Sequence, residues 1–226
     1  MRITYYILFI LVIFIASACF ATPSTQIWNP STDIQARGTW HLGIDNYFTT
    51  VGPAAGGYAY PTDMGITYGL LPGLEIGLDV FLPQSSPFAF NLKYGITEAA
   101  LMPALAVGGF GFGTQIGVTD QNVLYGVAAK TFPSGRLSVG YFIGNQKLLV
   151  DPSGAGDNKG IILTWDKQVN DKLWACIDYA GTKSFLGSIF YGFTWLFAPN
   201  TSIIFAYGTY HNGIKPTVTT QLDINL

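Results

Sequence analysis

The chain has 226 residues and a formal net charge of −2; 11% of its residues are charged, 49% are hydrophobic and 27 are glycine. A near-neutral balance argues against nucleic-acid binding and strongly acidic partners. So little charge, against roughly 25% in soluble domains, also argues against an ordinary soluble sandwich. Beyond the amino terminus no segment reaches the ~20 unbroken apolar residues of a spanning helix, so the apolar content is dispersed in short runs.

Met1-Arg2 gives the chain a basic start, Tyr5 to Ile15 is apolar, and small residues follow at Ala16, Ser17, Ala18 and Ala21. This pattern predicts a signal peptide over residues 1–21, cleaved after Ala21 or after Ala18. Ala16-Ser17-Ala18-Cys19 resembles a lipoprotein box, but has Ala where that box usually has Leu, so an unacylated chain is expected. Cleavage after Ala21 leaves Cys176 as the sole cysteine, and no intramolecular disulfide can form. Residues 22–37 are rich in Pro, Ser and Thr and hold no period, which predicts a periplasmic lead-in.

From residue 38 onward, period-two alternation recurs, the mark of strands with two unlike faces. The first strand spans Gly38 to Thr49, with Trp40, Leu42 and Ile44 opposite His41, Gly43 and Asp45. After a Gly/Pro-rich loop comes the clearest unit, Met64 to Leu82. Met64, Ile66, Tyr68 and Leu70 precede a Leu71-Pro72-Gly73 turn, and Leu74, Ile76, Leu78, Val80 and Leu82 follow it. Opposite these apolar stripes lie Gly65, Thr67, Gly69, Glu75, Gly77 and Asp79.

Phe88 to Ile96 repeats the pattern, with Lys93 on the polar face. Ala99 to Phe112 is disturbed by Pro103 and a GGFGFG run, as a bulged strand would be. Gln121–Phe132 and Arg136–Gly144 pair around Pro133-Ser134-Gly135, with inner faces of Asn122, Gly126, Ala128 and Lys130, then Arg136, Ser138, Gly140 and Phe142. Residues 145–158 form the longest loop. The hairpins Gly160–Lys167/Lys172–Ala180 and Gly187–Phe197/Ser202–Tyr210 follow, then a last strand from Thr217 to Leu226.

The total is about twelve strands of a length that crosses a bilayer when tilted, with short and long connections in alternation. Val218, Thr220, Leu222, Ile224 and Leu226 alternate to the end of the chain. This resembles the carboxy-terminal signal of bacterial outer-membrane β-barrel (porin-like) proteins, which most often ends in Phe. The resemblance implies an all-β fold, a transmembrane antiparallel up-and-down β-barrel over residues 38–226. It also implies outer-membrane lipid around the wall and recognition of the last strand by the barrel-assembly machinery.

The inward stripes then carry Asp45, Glu75, Asp79, Lys93, Lys130, Arg136, Asp166 and Asp178, while the outward stripes are almost free of charge. A charge facing mid-bilayer costs about 2–4 kcal/mol. These eight residues are therefore candidates for a lumen that sets the selectivity of a channel for small polar solutes. A structural or adhesion barrel with an occluded lumen, or a lipid-directed hydrolase, are the alternatives. For catalysis, His41, Asp45 and Ser138 all point inward, but strands one and seven lie on opposite sides of a twelve-strand barrel, so no enzyme is expected. Nor is a cofactor: GGFGFG is followed by no helix to hold a phosphate, and Asp151, Asp157 and Asn158 are spaced as a solvated turn rather than a Ca²⁺ loop. Trp40, Trp165, Trp174, Trp195 and Tyr207 near strand ends fit interfacial girdles.

Overall fold

The computed structural model describes residues 24–84 and 88–226; the expected signal peptide and Cys19 lie outside the described residues. Among those described are twelve strands: β1 (Trp40–Thr49), β2 (Thr62–Leu71), β3 (Leu74–Leu82), β4 (Phe88–Ile96), β5 (Ala104–Gly113), β6 (Asp120–Phe132), β7 (Gly135–Ile143), β8 (Lys159–Asn170), β9 (Leu173–Gly181), β10 (Ser188–Ala198), β11 (Thr201–Tyr210) and β12 (Thr217–Asn225). Each pairs antiparallel with its neighbours in sequence, and β12 returns to β1, closing an up-and-down barrel. The seam joins His41↔Asn225 through Thr49↔Thr217, so every strand edge is satisfied.

One rim carries two-residue turns at 72–73, 133–134, 171–172 and 199–200. The other carries the loops, the longest being 144–158. Gly73 has φ 78°, a left-handed conformation that Gly adopts without strain, which is why a Pro-Gly pair turns the chain between β2 and β3. The fifth strand starts at Ala104, just past Pro103, because proline has no N–H for the ladder. Within it, Gly111 (φ 65°) carries a bulge that shifts register between Phe110 and Phe112.

Residues 24–37 are not an external lead-in. They run inside the barrel, entering at the short-turn rim, where Gly38 N–H bonds Gly69 O at 2.7 Å and Arg37 bridges Gly69. The segment folds back as a hairpin, with Thr25 bridging Pro30, Gln26 N–H donating to Asn29 O (2.8 Å) and Ser31 N–H donating to Ser24 O (3.1 Å). Asn-Pro-Ser is turn chemistry, and a hairpin this tight has no room for a strand period. At its tip, Ile27 is 1% exposed and packs with Trp174, Phe190 and Ile204. Trp28 stacks on Phe190 with centroids 5.4 Å apart.

The hairpin divides the interior into unlike halves. Toward β6–β11 the wall is apolar: Val123, Val127, Phe142 and Ile162 enclose Leu149 from the long loop and Leu186 from the β9–β10 loop. Toward β12–β5 it is polar and less filled. The apolar half explains a reversal of the expected face in β6. Register places Tyr125, Val127 and Ala129 opposite Phe142, Gly140 and Ser138, so the odd positions face inward. Asn122, Gly126, Ala128 and Lys130 are on the other face. Both faces of β6 are apolar in sequence, and the core chooses between them. In β7 the expected inner face is the observed one, with Ser138 and Phe142 buried.

Elsewhere the outward stripes match the alternation. Trp40, Phe88, Val139, Tyr191, Phe193 and Trp195 all stand out from the wall, and charges on that side (Asp120, Lys130, Lys159 and Lys167) lie near the rims. Trp174 instead points inward, 2% exposed, and donates its indole N–H to Asp166 at 3.1 Å.

Candidate functional site

Of the eight predicted lumen charges, five hold the hairpin. Asp178 is wholly buried on β9, and its Oδ2 accepts the backbone N–H groups of Ile27 (3.2 Å), Trp28 (2.8 Å) and Asn29 (2.9 Å). Its Oδ1 accepts the Asn29 amide (2.5 Å) and the Thr164 hydroxyl (3.0 Å). One carboxylate thus satisfies the exposed donors of the whole tip, as an acidic cap satisfies a helix start. Arg136 on β7 grips Asp33 with both terminal nitrogens (2.7 and 2.8 Å) and reaches Asp166 with Nε (3.0 Å). That fork-to-carboxylate geometry is the strong, directional kind.

Lower in the barrel, Lys93 on β4 pairs with Glu75 on β3 at 3.1 Å and donates to Ser24 O and Asp33 O. Glu75 accepts in turn from Ser24 Oγ (2.8 Å) and Gln35 N–H (2.6 Å). Charges that would be costly alone in a closed interior are stable here because every one meets a partner on the hairpin. Of these five, Glu75 and Lys93 also border a cavity, as a mutually neutralised pair, while Arg136, Asp166 and Asp178 do not line it.

Lys130 does not face the lumen. It shares a face with outward Leu137 and sits at the short-turn rim, bonding Glu98 at 2.9 Å and the carbonyls of Ala99 and Ala100. That hydrogen bond from Lys130 holds the Glu98 carboxyl down at about 2.

Asp45 and Asp79 remain, and the fold gives them company that sequence reading missed. They line a cavity of about 360 Å³ together with Asp63, Asp223 and His41. Register shows why. Asp223, Gly43, Gly65 and Asp79 form one row across β12, β1, β2 and β3, and the next row is Gln221, Asp45, Asp63 and Phe81. Gly43 and Gly65 are direct partners, so the centre of the acidic wall has no side chain. A Cβ on Gly65 would stand 3.0 Å from Asp79 Oδ1. The signal for Asp63 and Asp223 was present in their parity, opposite the apolar stripes of β2 and β12.

His41 is fixed in the wall, its Nε2 3.2 Å from Asp223 Oδ1 and its Nδ1 3.2 Å from Asn225 Oδ1. It bonds neither Ser138 nor Asp45, so the three residues weighed for catalysis are not assembled. Aromatic groups border the cavity on the side of the loops: Tyr47 meets Trp28 edge-to-face (5.3 Å) and Tyr60 edge-to-face (6.5 Å).

In the long loop, Asp151 accepts from Ser153 and Ala155, Asp157 from Lys183 N–H, and Asn158 donates to Gly144 O. The Ser153 hydroxyl keeps the Asp151 carboxyl below its usual range. The three side chains serve separate turns.

No protein-family model and no curated protein matches the chain. Solved structures do. An outer membrane channel from Pseudomonas putida F1 aligns over 85% of this chain and 97% of its own, with 10% identity and TM-score 0.50. The KdgM porin aligns over 82% and 97%, also with 10% identity and TM-score 0.50. A Rhodopseudomonas blastica porin variant aligns over 73% of this chain at 12% identity and TM-score 0.43, and this chain spans only 55% of that porin's length. At 10% identity the likeness to the first two is one of fold alone: a closed antiparallel barrel.

Proposed function

We propose that the chain is a bacterial outer-membrane channel that passes small polar solutes along the acidic half of its lumen. The observation that carries this reading is the segregation of the wall. Its outer face is an apolar belt with charges only near the rims, while its inner face offers a cavity of about 360 Å³ bordered by Asp45, Asp63, Asp79 and Asp223. An apolar exterior around a polar interior is what lipid outside and water inside select, and rings of carboxylate attract cations. In this reading the short-turn rim faces the periplasm, β12 is presented to the barrel-assembly machinery, and Asp45, Asp63 and Asp79 set selectivity. The two solved barrels of matching length are named as a channel and a porin, which agrees with it.

Planar-bilayer recording of the detergent-refolded mature chain tests this. Discrete steps with a reversal potential favouring cations under a salt gradient are expected, and that preference should weaken in the double variant Asp45→Asn/Asp63→Asn. Folded, inserted protein that gives no steps would favour instead an occluded structural barrel, for which the docked hairpin is the supporting feature.

The lipid belt has its own test. Val139 lies mid-strand on β7 and is 57% exposed. Val139→Arg should cost about 2–4 kcal/mol relative to wild type in urea unfolding from lipid vesicles, whereas Val139→Ala should cost much less. Equal costs would argue that this face does not meet lipid.

A further inference from the structure

We infer that the cavity beside the hairpin binds a small organic cation with an apolar body, its ammonium group seated between Asp45, Asp63 and Asp79. The channel reading supplies the route by which such a solute arrives, and the inference rests on it to that extent. Four features specify the ligand. The first is charge. Glu75 is matched by Lys93 and Asp223 is met by His41. Asp45, Asp63 and Asp79 have no cationic partner among the described residues.

The second is unmet bonding capacity. Asp223 is 4% exposed, yet its Oδ2 has no hydrogen-bond partner, and the buried Oδ1 of Asp63 has none either. Buried carboxylate oxygens without partners are costly, and both residues line the cavity. The third is shape. The facing glycines Gly43 and Gly65 leave a hollow at the middle of the acidic wall; a Cβ on Gly43 would meet nothing nearer than His41 Nε2 at 3.8 Å. The fourth is the aromatic border. Tyr47, two residues along β1 from Asp45, forms with Trp28 and Tyr60 a set of edge-to-face rings. Aromatic rings at the border of a site are a recurrent feature of alkylammonium recognition, and the carboxylates supply the opposite charge.

A bare metal ion fits less well. Among the described residues no three carboxylate, imidazole or thiol groups are arranged to hold a metal ion. A cavity in the size range of small-molecule sites, with carboxylates set near aromatic rings, suits a larger ligand.

Isothermal titration of the refolded full mature chain in detergent, with benzylamine, benzyl alcohol and benzoate as probes of one shape and three charges, tests this. Saturable binding of benzylamine alone is expected. Affinity should fall at least about tenfold in Asp45→Asn/Asp63→Asn, as removal of a desolvated charge partner demands, and should weaken as salt is raised. Gly43→Ala provides a second variant whose added methyl intrudes on the hollow without a close contact, and it should lower affinity while the barrel keeps its heat-modifiable gel mobility. Equal uptake of all three probes, or benzylamine binding unchanged in both variants, would overturn the site. Conductance is scored separately: binding without steps removes the channel and leaves the site, while cation-selective steps without binding do the reverse.

Discussion

Deleting residues 24–36 from the mature chain is expected to raise the unit conductance of the barrel several-fold while the twelve-strand wall persists. The hairpin contributes no rung to the wall beyond the single bridge from Arg37 to Gly69, so its loss leaves the closed ladder intact. What it does contribute is volume. Ile27, Trp28 and Asn29 lie across the middle of the barrel, from Asp178 on β9 to Gln221 on β12, whose side-chain amide donates to Ile27 O at 2.8 Å. A barrel of about twelve strands is wide enough to hold water once such a segment is gone. The deletion also strips partners from Glu75, Lys93, Arg136 and Asp166, which then line the widened path with water as their new partner. Step size, measured beside β-sheet content by circular dichroism, decides the matter. An unchanged step in a folded deletion variant would mean that ions never passed beside the hairpin.

Asp178→Ala should produce much of the same opening from a single side chain. Four hydrogen bonds from Ile27, Trp28 and Asn29 converge on that carboxylate, with a fifth from Thr164. Each buried donor left bare costs about 1–3 kcal/mol. The hairpin escapes that cost by leaving its seat, so the variant should release the tip rather than unfold the wall. Trp28 would then lose its stack on Phe190, visible as a fall in near-ultraviolet circular dichroism, and the segment should become open to protease from the short-turn rim. Asp178→Asn keeps one acceptor oxygen and should fall between. A protease-resistant hairpin in the alanine variant would show that Ile27 and Trp28 hold the tip by packing alone.

Most of the wall was legible in the sequence because lipid and water impose opposite demands on alternate residues. In β2, β3 and β10 the parity of Ile66, Ile76 and Tyr191 could be read directly. Where the interior is itself apolar, parity loses its meaning. Val123 and Val127 of β6 face Leu149 and Phe142 inside. The polar residues Asn122 and Lys130 stand on the outward face of the same strand near its two ends, so they misled the assignment. Trp174 failed for the same reason: its place near a strand end suggested an interface, but its parity with Asp178 puts it in the lumen. The hairpin was the larger omission. Its Pro, Ser and Asn residues have the composition of an external segment, and nothing local marks Asp178 or Arg136, more than 100 residues away, as its seat. The acidic wall was half visible, since Asp45 and Asp79 were found and Asp63 and Asp223 were overlooked on strands chosen for their apolar stripes.

The seat of the hairpin also sets an order on assembly. Its fastenings belong to β3, β4, β7, β8, β9 and β12, so no early subset of strands can hold it. The contact between Gln221 and Ile27 joins residues 194 positions apart, and the entropy of closing so long a loop is lost before the contact offsets it. The fastenings of the first described segment are therefore complete only when β12 is in place, and the Gln221–Ile27 contact is the one that needs the closing strand.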